Sequence, residues 1–276
     1  MTISNLSKKI LLTAIPIFSL VIGYLIEEDL STGGSKFDFT KTFPAVIDLS
    51  NSIFDTTHEH TRHFPLHYFL LSIPHYLFNN IIITKLTYFL FSLLLPVFIY
   101  LNISKLYPKQ NFNNYILCLS VLFLPFYRAS AFWPNAHLTA LIFLLLANYF
   151  YILSVNNKNF TNMFFNIFFL SLSTYCMQSY VVFFIFYLTL YFKEIPKKEF
   201  IKVLFCCVVF SLPGFYIILS TPTGAKMGFS NNLSYTLITN FSIIFFFFLF
   251  FLSNKNNYQK IKNSFIRLTN MKLLFV

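Results

Sequence analysis

Apolar stretches close to bilayer length alternate with short polar connections in this chain, and one connection holds almost all of the acid. Runs such as LIFLLLANYFYIL (141–153) are predominantly apolar, without the ten-residue alternation of a membrane β-barrel. A helix needs about 20 apolar residues to cross hydrocarbon. Only 11% of the residues are charged, against roughly 25% in ordinary soluble domains. The expected fold class is an all-α polytopic membrane protein with about eight transmembrane helices. The spans are placed at about 10–26, 81–103, 114–127, 135–154, 162–176, 179–192, 200–220 and 234–253. The pair 162–176 and 179–192 also reads as one long kinked helix. Residues 1–253 form a single transmembrane domain in this reading, and 254–276 form a basic tail.

The net charge of +11 does not point to nucleic acid. The lysines fall in short clusters between apolar runs, as in loops retained in the cytoplasm. Lys8, Lys9, Lys105, Lys109, Lys158, Lys193, Lys197, Lys198 and the tail share one side if residues 63–78 do not cross the bilayer. The other side then holds Lys36, Lys41, Arg62, Lys85, Arg128 and Lys226. Both termini are expected in the cytoplasm of a bacterial inner membrane, with the first span a retained anchor. The final MKLLFV reads as the start of another hydrophobic segment in a truncated chain. The four cysteines lie in apolar stretches, without C-x-x-C or zinc spacing, and read as small core residues.

The expected outer loop, 27–80, carries two interfacial helices, near 44–54 and 64–78. In the second, His75, Tyr68, Ser72 and Tyr76 fall on one arc of a 100° wheel. Leu66, Phe69, Leu70, Ile73 and Leu77 fall opposite.

Seven of nine carboxylates lie between Glu27 and Glu59, and five of six histidines between His58 and His75. Chemistry, if any, belongs to that loop. In EEDLSTGGSKFDF (27–39), Glu27, Glu28 and Asp29 follow the first span, and Asp38 lies between two phenylalanines. An aromatic setting suits a general base by raising a carboxyl pKa. Asp38 and Asp29 are the candidate catalytic residues, while Glu27 and Glu28 also read as a plain flank. In HEHTRH (58–63), His58, Glu59 and His60 are weak candidates for a divalent metal. Arg62 and His63 fit a phosphate equally well. Arg128 and His137 flank the only tryptophan, Trp133, and Lys226 lies in the last outer loop. These cations are candidate contacts for an anionic ligand, or simply snorkel to headgroups.

The layout over residues 8–220 resembles the integral-membrane glycosyltransferases of the GT-C superfamily. HFPLHYFLL (63–71) is similar to that group's His-Pro-Pro-Leu-Tyr-Tyr segment, with Phe64 and His67 at two varied positions. FYRASAFWPNAHLTALIFLLLANYFYIL is similar to the outer turn and following helix of the protein mannosyltransferase and aminoarabinose-transferase branches. The chain departs from the pattern in being short and in separating EED from FDF. The resemblance implies a polyprenyl-phosphate-sugar donor and a glycan, lipid or protein acceptor. It implies a carboxylate base, Asp38 or Asp29, with Arg62, Arg128 and Lys226 on the phosphate. His63 and His67 would position substrate or ligate an optional divalent metal, His137 is a further substrate-binding candidate, and no other cofactor is implied. Two alternatives remain: a non-catalytic or degenerate membrane protein, and a transporter or lipid flippase, which would want ionisable residues inside its spans.

Overall fold

Each regular element is helical in a computed structural model of the chain, which describes residues 3–51, 65–157 and 159–220. All of them belong to one unit, Met1–Met227. The order is α1 (Ile3–Leu25), α2 (Gly34–Asn51), α3 (Leu66–Phe78), α4 (Ile81–Ser92), α5 (Leu94–Leu106) and α6 (Asn111–Ser120). There follow α7 (Pro125–Phe132), α8 (Ala136–Asn157), α9 (Phe160–Cys176), α10 (Val182–Glu194) and α11 (Lys197–Ser220).

The all-α class holds, but the number of spans is a correction. Among the described residues, three helical stretches are long and apolar enough to cross a membrane: Ile81–Leu106, Ala136–Asn157 and Lys197–Tyr216. A fourth is Pro108–Phe123 with Pro125–Phe132, bent by 61°. The bend follows from Pro125, which drives Leu124 into extended backbone (φ −66°, ψ 129°). The apolar stretch Ile10–Leu25 is shorter. Residues 162–192 do not form one kinked helix. Met177 is extended (φ −150°) and separates α9 from α10. The 13 residues of α10 reach only about 20 Å. The expected span at 234–253 lies outside the described residues.

Two buried clusters share α8 as their common wall. Leu138 and Ile142 pack with Leu20, Phe39, Val46, Leu71, Phe89 and Phe132. Leu144 and Ala147 pack with Met163, Ile167, Leu170, Tyr187 and Tyr191. A polar ladder runs through the second cluster. Asn148 donates to the Asn102 side-chain oxygen at 2.9 Å and accepts from the Tyr187 hydroxyl at 3.0 Å. Further along, Ser154 meets Tyr191 at 3.1 Å and Tyr151 donates to Glu194 at 2.9 Å. Interhelical hydrogen bonds fix which faces of apolar helices meet, because dispersion alone discriminates poorly among them.

Two helices bear on the expected interfacial segments. The first begins at Gly34, ten residues before the expected start, and holds Pro44 in its interior. In α3, Tyr68, Ser72 and His75 are buried while Ile73 and Leu77 are exposed. Three residues of the predicted polar arc thus face the other helices, with Tyr76 exposed instead, while the apolar arc is exposed at Ile73 and Leu77 and half-buried at Leu66, Phe69 and Leu70. Pro213 in α11 cannot donate to the helix ladder. Beside it, the Tyr175 hydroxyl donates to the Phe210 carbonyl and accepts from the Gly214 amide. A Cβ at Gly214 would stand 3.0 Å from the Tyr175 ring, so glycine permits the approach.

Asn148→Leu should leave the Asn102 oxygen and the Tyr187 hydroxyl without this partner. The expected cost is about 1–2 kcal/mol, measured as a lower unfolding midpoint in detergent.

Candidate functional site

The candidate site is built on the turn between α1 and α2. The end of α1 is a Schellman-type cap, with Glu28 N–H bonded to the Gly23 carbonyl at 2.9 Å and Glu27 N–H to that of Tyr24 at 3.2 Å. Such a cap needs a left-handed residue, usually glycine. Here Glu27 occupies that position, with φ 52°. The cap therefore projects two successive carboxylates from a fixed backbone.

Glu28 turns back onto the bundle. Its carboxylate accepts from Arg128 Nε at 3.1 Å and also from Nη2. Arg128 further donates to the Ser19 hydroxyl and carbonyl at 3.0 and 3.2 Å. Only 9% of the Arg128 side chain and 17% of the Glu28 side chain are exposed. The pair rests against Gly23, where a Cβ would fall within 3 Å of both charged tips and of the Phe132 ring. A pocket of about 330 Å³ opens beside it, lined by Ile15, Phe18, Ser19, Ile22 and Ile26 with the pair.

Glu27 turns the other way. Lys36 Nζ lies 2.9 Å and Lys85 Nζ 3.4 Å from its two oxygens. Both ammoniums also sit over the Trp133 ring, Lys85 at 3.6 Å and Lys36 at 4.9 Å. The indole N–H donates to the Glu28 carbonyl at 3.3 Å. The Lys36 hydrogen bond, then the Lys85 charge, hold the Glu27 carboxyl below its ordinary pKa.

Asp29 starts α2. Its carboxylate accepts from the Ser31 amide and the Lys36 amide, both at 2.9 Å, and from the Ser31 hydroxyl. These bonds satisfy amides that a helix start otherwise leaves open. Burial pushes the Asp29 carboxyl up, but the Ser31 and Lys36 bonds and the Lys36 charge outweigh it, and the net shift is downward.

Asp38 is exposed on the first turns of α2. Its backbone carbonyl accepts from Thr42. Among the described residues, its carboxylate makes no hydrogen bond or ion pair. It lies within electrostatic reach of Tyr68, whose hydroxyl is pushed up to about 12, first by burial and then by Asp38. His67 is buried and meets Thr139 Oγ1 at 2.9 Å, and Thr139 meets the Tyr88 hydroxyl at 3.2 Å. His137 is exposed in the first turn of α8. Arg62, His63 and Lys226, and the metal candidates His58, Glu59 and His60, lie outside the described residues. Among the described residues, no three His, Cys, Asp or Glu side chains gather as a metal site.

The structure therefore gathers Glu27, Glu28, Asp29, Lys36, Lys85, Arg128 and Trp133. Of these, only Asp29 and Arg128 stood out as sequence candidates. Nothing in the spacing of residues 27, 85 and 133 signals that they meet. The one local hint is Lys36, nine residues after Glu27.

Glu28→Gln should cost about 3 kcal/mol by leaving Arg128 nearly buried without its counter-ion. Joint replacement by Glu28→Leu and Arg128→Met should cost less, because no charge is then stranded. Gly23→Ala should resemble the single change, since its methyl group displaces the pair. Unfolding midpoints of the variants in detergent check all of these.

The downward shifts of Glu27 and Asp29 set a pH dependence. The stabilisation they supply is complete above the unfolded carboxylate pKa, about 4. It is lost as pH falls through their lower folded values. Trp133 emission, followed from pH 6 to pH 2, should change only in that acid range.

In comparison with known proteins, no family model matches the chain, and no curated protein or solved structure matches it.

Proposed function

We propose that the chain is a membrane glycosyltransferase that moves a sugar from a polyprenyl-phosphate donor to an acceptor on the extracytoplasmic side. One observation carries the reading: the carboxylates of the turn are spoken for, and that of Asp38 is open. Glu27 is shared by Lys36 and Lys85, Glu28 is held by Arg128, and Asp29 caps α2. A general base needs a free lone pair within reach of the proton it removes. Asp38 meets the first condition with both oxygens open, whereas Asp29 already accepts three hydrogen bonds and is shifted downward, which makes it the weaker base.

In the reaction, Asp38 takes the acceptor hydroxyl proton. The acceptor oxygen bonds to the anomeric carbon as the carbon–oxygen bond to phosphate breaks. The leaving phosphate takes that electron pair and needs cations. Arg62, Arg128 and Lys226 are proposed for it, and at Arg128 a phosphate competes with Glu28. His63, His67 and His137 are proposed to position substrate. The resemblance of residues 63–71 and 126–153 to the GT-C pattern supports the donor class. The positive-inside distribution of lysines supports an outward-facing site in an inner membrane with both termini in the cytoplasm.

A non-catalytic membrane protein is the competing reading. It draws support from the turn itself, where Glu27, Glu28 and Asp29 balance Lys36, Lys85 and Arg128 without any ligand.

The test is mass spectrometry of lipid-linked sugars and envelope glycans in cells making the native chain, Asp38→Asn or Asp29→Asn. The native chain should consume a polyprenyl-phosphate-sugar and label a glycan. Asp38→Asn should lose at least about 100-fold in turnover, the usual share of a general base. Asp29→Asn should lower the amount of folded protein and leave turnover per molecule nearly unchanged. Equal turnover with Asp38→Asn removes Asp38 as base, and no glycan change in any strain favours the non-catalytic reading.

A further inference from the structure

Glu27 combines three features that are unusual together. It is a non-glycine residue at φ 52°, in the cap position that glycine normally takes. It is exposed, with 54% of its side chain open. It nevertheless bridges two lysines, and one of them, Lys85, has only 11% of its side chain exposed. Exposed ion pairs rarely repay a strained backbone, so a side chain kept there points to a use for the place it fills. Its two oxygens lie 2.9 Å from Lys36 Nζ and 3.4 Å from Lys85 Nζ, spaced as the oxygens of a bound anion would be. The cradle below them is fixed. Trp133 lies under both ammoniums, its indole N–H is tied to the Glu28 carbonyl, and Asp29 holds the Lys36 amide.

We infer that Lys36, Lys85 and Trp133 form an anion site for a phosphate group, and that the Glu27 carboxylate is its built-in occupant. A phosphate displaces Glu27 into solvent, which an exposed side chain permits, and takes both ammoniums. Without Glu27 the turn changes from balanced to one net positive charge: Lys36, Lys85 and Arg128 against Glu28 and Asp29. Neither the transfer reaction nor Asp38 is required for this binding, so the site stands or fails separately from the proposed function.

Trp133 reports on the site directly, because it is the only tryptophan in the chain. The full chain in detergent micelles is titrated with inorganic phosphate, dihexanoyl phosphatidic acid and dihexanoylglycerol while Trp133 emission is recorded. The native chain should respond to a phosphate-bearing probe and not to dihexanoylglycerol. Response to both phosphate probes identifies a free anion as sufficient, and response to phosphatidic acid alone identifies a lipid headgroup. Glu27→Gly, which suits the left-handed backbone, should tighten binding about tenfold by removing the competitor. Lys85→Gln and, should that variant not fold, the exposed Lys36→Gln should each weaken it about tenfold. Asp48→Asn, elsewhere on α2, should leave the midpoint unchanged. The inference is overturned by no response to either phosphate probe in both the native chain and Glu27→Gly. It is also overturned if the lysine variants keep the native midpoint, or if Asp48→Asn tightens binding as much as Glu27→Gly.

Discussion

The Glu28–Arg128 pair, seated on Gly23, is the interaction around which this part of the molecule is arranged. A buried guanidinium is tolerable only when its donors are satisfied and its charge is balanced. Four donations, two to Glu28 and two to Ser19, do both. They join α7 to the last turns of α1 and to the cap that follows it, across a hundred residues of chain. The Schellman cap then settles the rest, because aiming Glu28 inward leaves Glu27 aimed at Lys36 and Lys85. Trp133 closes the group by bonding the Glu28 carbonyl and underlying both lysines.

This arrangement explains how an acidic run can sit at the end of apolar helices. Three acids beside hydrocarbon would be costly alone. Here each has a counter-ion or a set of amides, and the pairing uses cations from α2, α4 and α7. It also separates Asp38 from the other acids. The three consecutive acids are consumed by folding, and the isolated Asp38 keeps its oxygens open on an exposed helical turn.

Part of the architecture was legible in the sequence because apolar length and periodicity are local properties. Helices appear where the apolar runs lie, and the wheel of α3 places Tyr68, Ser72 and His75 on its buried side and Ile73 and Leu77 on its exposed side. The misjudgements also have local causes. Pro44 was expected near the start of a helix, but the Asp29 and Ser31 caps begin α2 ten residues earlier. Eight spans were expected from hydropathy alone, yet extended residues at Leu124 and Met177 divide apolar sequence into helices too short or too bent for that number. Among the site residues, Asp38 and Asp29 were visible as acids in a polar loop, although their different states were not. Trp133 was visible only as the single tryptophan, and Lys85 only as one of six cations on the expected outer side.

Composition and the length of the apolar runs determined the helical class, and the order of residues placed seven of nine carboxylates and five of six histidines between Glu27 and His75. The first follows from solvation, which acts residue by residue. The tertiary structure alone decided which acid meets which base. An ion pair depends on a few ångströms of separation, and Glu27, Lys85 and Trp133 reach that separation only after α1, α4 and α7 have packed.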